Sequence, residues 1–94
     1  MMRFKSKKIE NCFSDAENYE YRIKVAGTEF IKSLDGLAIL VKVNETLRRP
    51  TFTAVLKGGV QIKGTLAKPI IKVGYPFPTA LEQKAWFEQW LEAL

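Results

Sequence analysis

The chain has 94 residues and a formal net charge of +5. That length suits one domain and is too short for a TIM barrel or a multidomain enzyme. Apolar residues make up 47%, an ordinary globular share, which excludes wholesale disorder. With no histidine and one cysteine, the chain has no His/Cys zinc site, no internal disulfide and no His-based triad.

Met1 to Lys8 is basic, but no apolar run follows it as it would in a signal peptide. The longest apolar run, Leu37 to Val41, is far short of the roughly 20 residues that span a bilayer. The lone Cys12 suits a reducing compartment. The expected location is therefore the cytoplasm, away from membranes.

In chain order, residues 4–9 read as a weak strand and Asn11 to Asn18 as a polar loop. Tyr19 to Val25 alternates strictly, with Tyr19, Tyr21, Ile23 and Val25 on one side, and predicts a half-buried strand. Thr28 to Leu34 fits a strand or two helical turns equally well. Asp35-Gly36 is a turn signal. Leu37 to Val43 reads as a central strand, because its first half is apolar on both faces. Asn44 to Pro50 is a connection.

Thr51 to Leu56 and Val60 to Ala67 form a hairpin. A three-residue loop, Lys57-Gly58-Gly59, opposes Leu56 to Val60, Ala54 to Ile62 and Phe52 to Gly64. In that register each of these pairs shares an apolar face, and a one-residue slip would flip one strand. Phe52 would cover the bare backbone at Gly64. Ile70 to Val73 is a last extended piece, and Gly74 to Pro78 a stiff linker. The helix over residues 80–93 is the clearest element. Thr79 and Glu82 have capping-box spacing. Ala80, Trp86, Phe87, Trp90, Leu91 and Leu94 fall in an arc of about 140°, with Glu88 and Glu92 opposite. The expected fold is a single α+β domain over residues 1–94. Its antiparallel sheet of four to five strands curls around this helix.

The charge is uneven. Residues 48–74 carry Arg48, Arg49, Lys57, Lys63, Lys68 and Lys72 and no acid, while the terminal helix is mildly acidic. These six are candidates for anion or nucleic-acid binding. A solvated lysine face that guards sheet edges accounts for the same residues. Gly59 to Thr65 lacks the Gly-Lys-Ser/Thr order of a phosphate loop. No catalytic constellation emerges, so no enzymatic activity, metal or cofactor is expected. Tyr75, Phe77, Trp86, Phe87 and Trp90 are candidates for a protein interface, because one helix on a small sheet has little room to bury so many aromatics. The expected role is a non-enzymatic binding protein that works by protein–protein contact or self-association. Nucleic-acid binding by the 48–72 region is the alternative.

Overall fold

The computed structural model describes residues 4–10, 13, 15–46 and 48–94. The elements in chain order are β1 (Lys5–Ile9), β2 (Ala16–Arg22), α1 (Gly27–Ser33), β3 (Ala38–Asn44), β4 (Thr51–Leu56), β5 (Gln61–Thr65), β6 (Ile70–Pro76) and α2 (Ala80–Glu92). The strands form one open antiparallel sheet in the order β1-β2-β6-β5-β4-β3. The α+β class, the antiparallel sheet and the C-terminal helix match expectation. The sheet has six strands rather than four or five, and it is open rather than curled around the helix.

The alternation of β4 sets the two faces. Phe52, Ala54 and Leu56 are buried toward the helices, while Thr51, Thr53 and Val55 face outward. The expected hairpin register holds: Phe52 opposes Gly64, Ala54 opposes Ile62, and the Leu56 N–H donates to the Val60 carbonyl at 2.8 Å. Gly58 and Gly59 both take positive φ, at 87° and 89°, which the turn requires. A Cβ on Gly64 would lie 2.8 Å from the Phe52 ring, so the ring does occupy that gap.

The core is aromatic. Tyr21, Ile71, Val73 and Tyr75 from β2 and β6 meet Phe87 and Leu91 of α2. Phe87 contacts Tyr21 and Tyr75 edge-on, with centroids 6.0 and 6.1 Å away. Phe30 of α1 bridges Phe52 and Trp90. Residues 28–34 therefore resolve as helical. That short helix is anchored by its first residues. The Gly27 and Thr28 N–H groups both donate at 3.1 Å, to the Lys68 and Leu66 carbonyls respectively.

Several expectations need correction. β2 starts at Ala16, inside the predicted loop, because Asp15 turns the chain at φ 53° and frees the next residues to pair with β6. β6 runs on through Gly74 to Pro76, where a stiff linker was expected, because that end has β2 to pair with. Thr79 precedes α2 but makes no side-chain cap; its hydroxyl donates to the Pro76 carbonyl at 3.4 Å. The largest correction concerns β3. It is an edge strand paired only with β4, not a central one. Cys12 lies outside the described residues.

Close approach at Gly27 yields a stability test. A Cβ there would sit 2.4 Å from the Thr65 carbonyl oxygen, which is backbone and cannot swing away. Gly27→Ala should cost about 1–3 kcal/mol, as overpacking does. Urea unfolding of both proteins would read the difference.

Candidate functional site

A buried polar chain joins helix to sheet. The Tyr21 hydroxyl lies 2.5 Å from that of Tyr75 and donates to Glu88 Oε2 at 2.7 Å. A carboxylate only accepts, so the single Tyr21 proton goes to Glu88 and the Tyr75 proton goes to Tyr21. Lys84 Nζ closes the chain at 2.8 Å from Glu88 and lies 4.8 Å from the Tyr19 ring centroid. Glu88 thus turns toward the sheet, not to the solvated face where helical spacing put it. Burial is the main force pushing both tyrosine hydroxyls well above their ordinary range, and the Glu88 carboxylate adds to it. That shift moves them away from proton exchange near neutrality. The chain of hydroxyls and carboxylate acts as a strut between α2 and the sheet.

The interface aromatics divide. Tyr75 and Phe87 are fully buried and present no surface, because the strut and the ring cluster need them inside. Trp86 and Trp90 are half-buried against the core, and Trp86 donates its indole N–H to Gln83. Phe77 remains exposed.

Two surfaces stay open to partners. The first is the β3 edge. Ile39, Leu40, Val41 and Val43 are 63%, 48%, 39% and 45% exposed. Ile39 is an extra residue in a bulge between the Ala38 and Leu40 pairings. Val41 and Val43 share the helix-side face with Ala54 and Phe52, yet no helix covers them. The opposite edge, β1, is guarded by Lys5, Lys7 and Lys8, as edge strands commonly are.

The second is the outer face of the sheet. Its register places Lys7, Glu20, Lys72, Lys63, Thr53 and Lys42 in one row that crosses all six strands. At a strand spacing of about 4.8 Å, the row is about 24 Å long. Lys7 engages Glu20 at 3.4 Å. Among the described residues, Lys72, Lys63 and Lys42 have no salt bridge. Lys63, Lys68 and Lys72 line a shallow depression of about 500 Å³ with Thr51, Thr53, Thr65 and the acidic Glu20. Of the six basic candidates, then, these three converge. Arg48 and Arg49 lie in the β3–β4 connection at the same end of the sheet as Lys68. Lys57 lies in the β4–β5 turn at the other end.

Sequence reading missed Lys7, Lys42 and Phe13 for this face. The β1–β2 loop carries Phe13 over Gly74, where a Cβ would fall 2.5 Å from the ring. Asn18 holds Phe13 in place. Its Oδ1 accepts from the Phe13 N–H at 3.0 Å, and its Nδ2 donates to the Phe13 carbonyl at 3.2 Å. Lys63 Nζ lies 5.4 Å from the Phe13 ring centroid.

No protein-family model, curated protein or solved structure matches this chain. Among the described residues, no group of His, Cys, Asp and Glu could hold a metal ion, and no helix is long and apolar enough to cross a membrane.

The strut makes a prediction of its own. Tyr21→Phe leaves the buried Tyr75 hydroxyl unpartnered and should cost about 1–3 kcal/mol in urea unfolding. The folded chain keeps the Tyr21 and Tyr75 protons above pH of about 10, where the unfolded chain releases them. Their contribution to stability should therefore be constant below that pH and fall as pH rises above it. The fall should be shallower in Tyr21→Phe.

Proposed function

We propose that this chain is a small non-enzymatic binding protein that pairs along β3 with a second copy of itself. The observation that carries this reading is an unpaired strand edge bearing four exposed aliphatic side chains. An exposed edge offers a ready row of N–H and C=O groups, and a second strand satisfies them while burying the aliphatics.

The sequence of β3 supports a copy as the occupant. In an antiparallel ladder that keeps both outer faces on one side, two centres are natural. Centring on Lys42 sets two ammonium groups directly opposite each other, which is destabilising. Centring on Val41 sets valine against valine and lays each Lys42 stem along Leu40 of the other copy. The second register avoids the clash. The bulge at Ile39 shortens the regular ladder, so the contact is weak, with a Kd on the order of micromolar.

Sedimentation equilibrium over a dilution series tests this. A reversible dimer is expected. Leu40→Lys with Val43→Lys should raise the dissociation constant at least about tenfold and leave circular dichroism unchanged, since both side chains are already about half exposed. A wild-type chain that stays monomeric at its highest soluble concentration would sink the proposal.

A further inference from the structure

We infer that the outer face of the sheet binds single-stranded nucleic acid, with phosphates along the lysine row and a base stacked at Phe13. This site goes beyond the self-pairing of β3 and occupies a different surface.

Four observations meet there. The first is the row itself, which places Lys72, Lys63 and Lys42 on one face without a salt bridge to any described residue. Secondly, Lys63 and Lys72 are direct cross-strand partners. Facing ammonium groups weaken a sheet. A phosphate between them turns that repulsion into attraction. Thirdly, Thr51, Thr53 and Thr65 bring hydroxyl groups to the depression beside these lysines, and hydroxyls are common donors to phosphate oxygens. Fourthly, Phe13 is held by Asn18 on this same face, with Lys63 Nζ over its ring at 5.4 Å from the centroid, a place a base would take once a phosphate draws the ammonium off.

The combination selects among anions. A compact anion would need one convergent pocket, whereas the row extends across the sheet. An acidic peptide offers carboxylates but no base to stack. A duplex hides its base faces from an aromatic side chain, while a single strand presents them. Aromatic stacking beside a basic track is how sequence-tolerant single-strand sites are built. Glu20 lines the same depression, and its pairing with Lys7 at 3.4 Å partly offsets its charge.

Fluorescence anisotropy with labelled oligothymidylate and oligouridylate, titrated with salt from about 50 mM upward, tests the site. Binding should weaken as salt rises. Lys63→Gln with Lys72→Gln should reduce affinity at least about tenfold and flatten the log–log salt slope by about 1.4, at about 0.7 for each phosphate that a lysine no longer neutralises. Phe13→Leu should weaken binding about tenfold with the slope unchanged, because stacking releases no counterion. Lys57→Gln, at the far end of the sheet, should bind like wild type. Melting curves check folding, and the double lysine variant should melt no lower than wild type because it removes a repulsion. Should it unfold, Lys72→Gln alone reads the same row. Absence of binding at the lowest salt, or wild-type affinity in the lysine variants, overturns the proposal. So does equal affinity for a duplex of the same length combined with no effect of Phe13→Leu, which would mark a generic polyanion surface.

Discussion

A helix about 10 Å across shelters about two strands spaced near 4.8 Å. This chain sets one long helix and one short one against six strands. Coverage is therefore the scarce quantity, and most of the architecture follows from where it falls. α2 lies over β6, where Phe87 and Leu91 complete the core with Tyr21 and Tyr75. α1 carries the shelter as far as β4 through Phe30 and Phe52. Among the described residues, no helix lies beyond that point. Val41 and Val43 face the helix side yet remain in solvent.

That shortage explains where sequence reading succeeded and failed. The β4–β5 register was legible because it is local: two short strands, one loop and one alternation select a single pairing. The amphipathic C-terminal helix was legible for the same reason. Leu37 to Val43 misled because apolar residues on both faces ordinarily mean a strand covered on both faces. Here they belong to an edge, and nothing in the strand's own pattern reveals how far the helices reach. Glu88 misled because helical spacing alone cannot show that Tyr21 needs an acceptor at the flank of the arc.

The outer face was half legible. The acid-free stretch from Arg48 to Lys72 signalled a basic surface. What completed it was non-local. β2 pairs with β6 although β3, β4 and β5 all lie between them in sequence, and this brings Lys7 and Glu20 into line with Lys72 and Lys63. The same pairing creates the bare spot at Gly74 that Phe13 covers. A polar loop with one aromatic residue gives no hint of this until the sheet order is known. Lys57 shows the converse, since it is close to Lys63 in sequence but lies at the opposite end of the hairpin from Lys68.

The two sheet edges are chemically unlike, and this bears on how assembly stops. A sheet with two sticky edges can add copies head to tail without limit and grow into a filament. Here β1 bears lysines on its side of the sheet, with Lys7 and Lys8 tied to Glu20 and Glu17, while the aliphatic edge is β3. A β1–β3 junction would lay those charges along aliphatic side chains and strip them of water. Only like-with-like joining at β3 avoids that cost. In the proposed self-pairing such a contact would use itself up, so growth would close at a pair and leave a charged edge at each outer end.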